Sequence, residues 1–309
     1  MTFSDDQVAI YLHCEGLGDC LFAIPVLRKL RSTVSAAQKF VLFTHHPALF
    51  AACPAVFEAH PYALAPPTPP AHWLELFEVK KFSHAHMDTM DFMSLPLGLG
   101  QLSFREKQLE YFPLEADCAS RFDVVLNTST TWPSRSWPLA NWQQLADRLL
   151  ALGYSVAVVG KTQVSPADGM VKHSSGLRGC TDLTNALSLD QTYFTIARAG
   201  LFITCQNGLS VLSGATNTEV MVLDMSIEWS KRAIYRQQDP HYKVTYVPGD
   251  CSIYCCSAFA CPEFESFRCI PPLERVLAVA QQKLGGTAVQ AGLRQTGLIR
   301  LAPIQNTHD

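Results

Sequence analysis

Asp19 is the first residue whose type and setting could do chemistry. It follows Gly16-Leu17-Gly18, just after the apolar run Val8-Ala9-Ile10-Tyr11-Leu12. Leu21, Phe22, Ile24, Pro25, Leu27 and Leu30 then recur at helical spacing. Strand, glycine turn and helix place this carboxylate on the side of a parallel sheet where open α/β folds bind ligands. Two roles compete for it. Asp19 can cap the helix, or it can face a cleft as a general base, because a helix N-terminus favours the charged carboxylate that a base requires. A dinucleotide fingerprint fails twice. Leu21 stands where the third glycine is needed, and Thr44, His45 and His46 stand where an acid should end the second strand.

Other groups invite chemistry less directly. Cys251, Cys255, Cys256, Cys261 and Cys269 crowd one stretch. Four thiolates from these five can close a tetrahedral metal site that braces a loop. Their spacing is irregular beside paired C-x2-C knuckles, so reduced, partly buried thiols are an equal alternative. His84, His86, Asp88 and Asp91 precede a helix and read as its solvated start in preference to a metal site. Arg135, taken alone, is a surface arginine before a helix, and Thr128-Ser129-Thr130-Thr131 is a hydroxyl-rich turn of a common kind.

These residues need a scaffold, and the pattern supplies one twice. The chain opens with a strand over 8–12, a helix over 19–30 and a strand over 40–43. A proline-rich loop follows over 61–72 and a helix over 86–97. After mixed-polarity residues 112–121 the alternation restarts. Strands are expected over 122–126, 155–159, 201–204 and 220–223, with helices over 140–152, 189–199, 209–215 and 273–284. Two βα arrays imply an α/β protein of two Rossmann-like domains with parallel sheets, residues 1–118 and 119–285, followed by a loose tail over 286–309.

Several segments resemble glycosyltransferase family 9, the ADP-heptose:lipopolysaccharide heptosyltransferases. Gly18-Asp19, the apolar stretch to Pro25 and the basic end Arg28-Lys29 look like the family's opening segment. Arg135-Ser136-Trp137-Pro138 looks like its Lys-x-Trp-Pro motif, and Gln206-Asn207-Gly208-Leu209-Ser210-Val211 like its Asp-Ser/Thr-Gly-x-x-His turn. The resemblance covers about residues 8–285. It implies a GT-B fold whose N-terminal domain takes an acceptor and whose C-terminal domain holds a nucleotide-sugar, ADP-heptose by analogy. It implies that Asp19 is the catalytic base and that Gly18, His84 and His86 lie on the acceptor side. Thr128, Ser129, Thr130, Arg135 and the turn Gln206 to Leu209 would hold the donor. Arginine in place of lysine keeps the charge and adds a planar fork for phosphate oxygens. Backbone N–H groups of Gly208 and Leu209 would meet the diphosphate at a helix start. The cysteine cluster would hold a structural iron or zinc, and catalysis would need no cofactor. Gln206 and Val211 replace the family's acid and histidine, which bears on donor identity.

Composition narrows the remainder. Of 309 residues, 48% are apolar and 17% charged, which excludes a disordered chain. A net charge of −3 offers no global attraction to nucleic acid or anionic membrane. No apolar run approaches the ~18 residues of a membrane helix, and no basic-then-apolar leader is visible, so a cytoplasmic protein is expected. The 11 cysteines, an odd number, argue against a disulfide framework. The expected activity is inverting glycosyl transfer from a nucleotide-diphosphate sugar to a hydroxyl of a glycan or protein. Two rivals stand beside it: a same-fold transferase with another donor and acceptor, and a non-catalytic sugar- or nucleotide-binding relative.

Overall fold

A computed structural model of the chain describes residues 4–67, 73–78, 87–115, 120–129, 133–164, 171–251, 256 and 268–295. Four strands form the first sheet: β1 (Gln7–His13), β2 (Lys39–Thr44), β3 (Glu58–Pro61) and β4 (Trp73–Glu78). All pairings are parallel and the spatial order is β3-β2-β1-β4. The chain therefore winds outward from β1 to β3, then returns to the far side of β1. β1 reads as an unbroken apolar run because both its faces are covered; Ala9, Ile10 and Leu12 are fully buried.

The second half contributes β5 (Val124–Asn127), β6 (Val156–Val159), a short antiparallel pair β7 (Gln163–Val164) and β8 (Val171–Lys172), β9 (Thr181–Asp182), β10 (Leu201–Cys205), β11 (Glu219–Asp224) and β12 (Val244–Pro248). Six of these make a parallel sheet in the order β12-β11-β10-β5-β6-β9. Its winding direction reverses between β5 and β10, the switch point at which doubly wound sheets open a crevice beyond their carboxyl ends. The expected α/β architecture of two parallel sheets is present.

Seven α-helices accompany the sheets among the described residues: α1 (Leu17–Thr33), α2 (Pro47–Phe50), α3 (Thr89–Ser94), α4 (Leu139–Ala151), α5 (Leu189–Ala197), α6 (Gly208–Ser213) and α7 (Leu273–Gln295). α2 has no counterpart among the expected helices, and three others differ from expectation. α3 is shorter than the helix expected over 86–97, because Pro96 lies in a tight 3-10 turn, Leu95–Leu97, that follows it. α7 continues to Gln295, so residues 286–295 are helical where the start of a loose tail is expected. α1 is apolar nearly all round, and Cys20 through Leu27 are buried without a break. A helix with no polar face must be covered on every side. Here one side of α1 packs on the first sheet and the other meets the second half of the chain.

That meeting is continuous. One apolar core joins Ile10, Leu12, Phe22 and Leu27 to Phe202, Val211, Leu212 and Ile234. The opposite face of the second sheet has a core of its own, where Leu126, Ile203 and Met221 meet Trp142 and Leu149 of α4 and Val276 and Ala280 of α7. Polar stitches reinforce the junction. Asp190 of α5 accepts from Tyr111 Oη and from the N–H groups of Leu114 and Glu115, at 2.8 and 2.9 Å. The segment after β11 reaches the other way. Thr89 Oγ1 donates to the Lys231 carbonyl at 2.7 Å, and Leu109 N–H to the Tyr235 carbonyl at 3.1 Å.

The start of α3 is buried where a solvated one is expected. Asp88 caps it by accepting from the N–H groups of Met90 and Asp91. Lys107, itself buried, lies 2.6 Å from Asp91 and 3.6 Å from Asp88, under the Tyr235 ring. Burial pushes the Asp88 carboxyl from 3.8 up to about 6; Lys107 opposes this shift and Asp91 adds to it. The raised value gives stability a definite sign. Its stabilising contribution is full below pH 3.8 and is lost as pH rises through about 6. Asp88→Asn keeps an N-cap acceptor without the titration. The variant should gain stability relative to wild type across that window, read from thermal midpoints at pH 4 to 6.5. A constant difference between the two proteins would contradict it.

Candidate functional site

The carboxyl ends of the two sheets face each other, and α1 and α6 touch there at their N-termini. Gly16 is the N-cap of α1 and supplies no side-chain cap. Asp19, in the first turn, does not cap the helix. Its carboxylate folds back over Gly16, so that a Cβ at position 16 would lie 2.7 Å from Asp19 Oδ2. The other oxygen, Oδ1, accepts from Arg232 Nη1 at 2.7 Å. Both side chains are mostly buried, 13% and 19% exposed. Arg232 comes from the segment after β11, which Thr89 and Leu109 tie to the first half of the chain. Beneath Asp19, the Cys14 and Cys20 sulfurs lie 3.5 Å apart. The Cys20 thiol and burial hold Cys14 well above the usual thiol range, so it stays neutral and unreactive.

Arg135 approaches the same seam from the second sheet. Its motif is anchored by the buried Trp137, whose Nε1 donates to the Pro271 carbonyl at 2.9 Å, just ahead of α7. Trp137 also packs edge-to-face on Trp142 of α4, with ring centroids 4.9 Å apart. Pro138 then starts α4. Arg135 Nη1 donates to the Gln206 carbonyl at 3.3 Å. Burial, and next the nearby Arg232, work against the Arg135 charge, while Asp19 supports it. Asp19, Arg135 and Arg232 thus form one electrostatic cluster contributed by both halves of the chain.

The glycine turn behaves differently from expectation. Asn207 is the N-cap of α6, and its Oδ1 accepts from the N–H groups of Leu209 and Ser210. The Leu209 N–H is therefore already engaged. Gly208 lies against α1: a Cβ there would stand 2.9 Å from Leu17 Cβ and 3.2 Å from Gly18 N. Gly18 in turn faces Val211 and Gly208. In this arrangement the glycines serve the close approach of two helices, and a diphosphate could reach the start of α6 only if Leu17 and Gly208 separated. Gln206 points away into the second half of the chain. Its Nε2 donates to Asp224 Oδ1 and to the Ile227 carbonyl, both at 2.7 Å. Val211 is buried in the shared core.

The hydroxyl turn is also tied down. Thr128 Oγ1 donates to the Ser175 carbonyl at 2.7 Å and accepts from its N–H at 3.0 Å. Ser129 accepts from Asn127 Nδ2 at 2.8 Å. Asn127 ends β5 at the switch point and links the turns on both sides, since its Oδ1 also accepts from Thr204 and Asn207. Thr130 lies outside the described residues, as do His84, His86, Cys255 and Cys261. Of the paired histidines, His46 bonds the Glu15 carbonyl in the turn before α1, at 2.7 Å, and His45 stacks on Tyr62. Beside β11 and β12 lies an open cavity of about 420 Å³, lined by Asp224, Trp229, His241 and Tyr246 among others. At the cysteine cluster, Asp250 N–H donates to the Arg268 carbonyl at 2.7 Å, which brings the chain at Cys251 beside the chain at Cys269. Among the described residues no group of three or more His, Cys, Asp or Glu is placed to hold a metal ion.

Two residues of this site escaped the sequence reading. Asn127 carries a weak signal, a polar residue closing the apolar strand Val124-Val125-Leu126. Arg232 carries none, because it meets a partner 213 positions away.

Two parallel sheets facing each other at their carboxyl ends, with charged groups gathered between them, define a GT-B-like architecture. Residues 79–223, nearly half of the chain, match the family model of glycosyltransferase family 9 (heptosyltransferase), so the resemblance read from the motifs holds. The matched segment includes Arg135 and the Gly208 turn, while Asp19 precedes it. No match is found among curated proteins. Among solved structures, the chain is similar to the iron-containing dodecameric glycosyltransferase TibC of enterotoxigenic E. coli H10407. The TM-score is 0.68 at 16% identity, over 92% of this chain and 79% of that one. It is also similar to a family 9 glycosyl transferase of Veillonella parvula DSM 2008, with a TM-score of 0.63 at 13% identity, over 93% and 99%. A third likeness is to the E. coli heptosyltransferase WaaC with ADP, with a TM-score of 0.53 at 14% identity, over 90% and 99%. At these identities the likenesses establish the fold. Together with the family match they support a glycosyltransferase. No helix among the described residues is long and apolar enough to cross a membrane.

The helix contact makes a prediction of its own. Gly208→Ala places a methyl group against Leu17 with nowhere to go. Overpacking of this kind costs about 1–3 kcal/mol, so the thermal midpoint should fall. An unchanged midpoint would show that α1 and α6 separate easily.

Proposed function

We propose that the chain is an inverting glycosyltransferase that moves a sugar, a heptose by analogy with its relatives, from a nucleotide diphosphate to an acceptor hydroxyl. The observation that carries this reading is that Asp19, paired with Arg232, and Arg135, bonded to the Gln206 carbonyl at the start of α6, are gathered where α1 and α6 touch, close enough for Asp19 to support the Arg135 charge. Asp19 and Arg135 arise beyond the carboxyl ends of two different sheets and share one seam. Residues 1–118 would present the acceptor and residues 119–285 the donor. One structural relative, TibC, was solved in complex with ADP-D-beta-D-heptose and another, WaaC, with ADP, which makes ADP-heptose the first donor to test. A glycan or a protein would supply the hydroxyl.

In this scheme the seam opens to admit the donor, and Leu17 parts from Gly208. Asp19 takes the proton of the acceptor hydroxyl as its oxygen attacks the anomeric carbon. The bond from that carbon to the diphosphate breaks, and the leaving group departs with the electron pair. Arg135, held in place through Trp137, stabilises the charge that develops on the diphosphate. Preorganised cations are most effective in that role when water is excluded. Gln206 and Val211 occupy the positions of the family's acid and histidine. Because both are turned into the protein interior, donor selectivity falls more heavily on Arg135 and on the cavity beside Trp229.

The relative TibC contains iron. In this chain the base of the cysteine loop is already closed by the bond between Asp250 and Arg268, and Cys269 is buried beside it. Those features fit a structural ion held by four of Cys251, Cys255, Cys256, Cys261 and Cys269. Such an ion would brace the loop and take no part in sugar transfer.

Three outcomes are expected. Asp19→Asn should keep the fold while turnover with ADP-heptose and an acceptor falls on the order of 10²–10⁴-fold, as for loss of a positioned base. Near-normal turnover would remove Asp19 from the mechanism. Arg135→Ala should weaken ADP binding by the ~1.5–3 kcal/mol of a charge-assisted hydrogen bond, roughly 10- to 150-fold in calorimetry. Elemental analysis of the purified protein should find close to one iron or zinc per chain, lost with lowered stability in the Cys261→Ser, Cys269→Ser variant. A metal-free preparation of full stability would leave the cysteines as ordinary thiols.

A further inference from the structure

The Asp19–Arg232 pair sets a cation directly against the residue read as the base. Asp19 Oδ1 accepts from a guanidinium at 2.7 Å, while Oδ2 is folded over Gly16. The pair is also unusual in its surroundings. Arg135 stands close enough for Arg232 to oppose its charge and for Asp19 to support it. Two guanidinium groups therefore bear on a single carboxylate inside a largely buried seam.

We propose that Arg232 is a second binding residue for the diphosphate of the donor, and that without donor it rests on Asp19. The inference depends on the seam being the donor site. A diphosphate carries more charge than a carboxylate, and its oxygens match the fork of a guanidinium, so it is the stronger partner for Arg232. When Arg232 moves to it, Asp19 is released in the same event. The carboxylate then loses its paired cation only once a donor is in place. The backbone is arranged for such an exchange. The segment carrying Arg232 is fixed on both sides of it, at Lys231 by Thr89 and at Tyr235 by Leu109. The guanidinium can therefore change partner by side-chain rotation alone while its Cα stays at the seam. The Phe22 ring, 6.0 Å from the guanidinium carbon, offers an apolar surface over which it can turn.

Single substitutions do not separate this role from a purely structural ion pair, because Arg232→Gln leaves a bare carboxylate that would itself repel a diphosphate. Removing the pair as a unit does separate them. Asp19→Asn combined with Arg232→Gln replaces a neutral pair by a neutral pair. ADP and adenosine are titrated calorimetrically into full-length wild type, into this double variant and into Arg135→Ala, after circular dichroism confirms each fold. ADP should bind the double variant at least about 10-fold more weakly than wild type, the loss expected for one charge-assisted contact, while adenosine binding should not change. If the double variant is unstable, Asp19→Asn with Arg232→Met, whose side chain fills the space over Phe22, should give the same result. ADP binding equal to wild type in a folded double variant would overturn the role of Arg232. If Arg135→Ala is nonetheless weakened, the donor-site reading survives that result. If wild type binds no nucleoside diphosphate, the donor-site reading itself falls, and the role of Arg232 with it.

Discussion

The approach of α1 to α6 sets the geometry of everything else in the site. Gly208 against Leu17 and Gly18 against Val211 allow two helix starts to touch. That contact puts the carboxyl ends of two separately wound sheets within reach of each other. It also explains the composition of α1. Over Cys20 to Leu27 a helix that packs on its own sheet and on a second domain has no solvent face to make polar, so the usual amphipathic pattern disappears there. Side chains at positions 18 and 208 would hold the helices apart and separate Asp19 from the cations of the second sheet.

Charge is the second constraint. Burying an ion is costly unless a partner replaces the lost water, and breaking a buried pair costs more than its formation yields. The seam collects one carboxylate and two guanidiniums under this condition. Asp19 and Arg232 satisfy each other, and Arg135 is supported by the Gln206 carbonyl and by the field of Asp19. The turn residues beside them are tied to the protein. Thr128 is bound to Ser175, and Asn127 is bound on both sides. The hydroxyl turn is thus held by the protein itself, and the cations of the seam are Arg135 and Arg232.

The sequence made the architecture legible because parallel sheets leave strong marks. β1, β5, β6, β10 and β11 are short apolar runs bounded by glycine or polar turns, and each stands where periodicity expects a strand. β3, β9 and β12 escaped because edge strands are partly exposed and mix polar residues, as in Glu58-Ala59-His60-Pro61. The boundary of α7 escaped because its composition past residue 285, rich in glycine, alanine and glutamine, weakens the apolar stripe without breaking the helix. Asp19 and Arg135 were legible as motif residues, each beside a turn and a helix start. Their proximity was not, since it depends on how two domains dock. Arg232 was invisible for the same reason. Asp88 shows the converse error: a cluster of polar residues before a helix reads as solvated, yet Lys107 folds over it from 16 residues beyond Asp91 and makes it interior.

The central claim is that one donor molecule engages both halves of the chain at this seam. Hydrogen–deuterium exchange of the full-length protein, with and without saturating ADP-heptose, tests it most directly. Opening and reclosing around the donor predicts altered exchange in two segments together, residues 16–22 at the start of α1 and 206–213 along α6. A change confined to the second half of the chain, or none at either segment, would contradict the account.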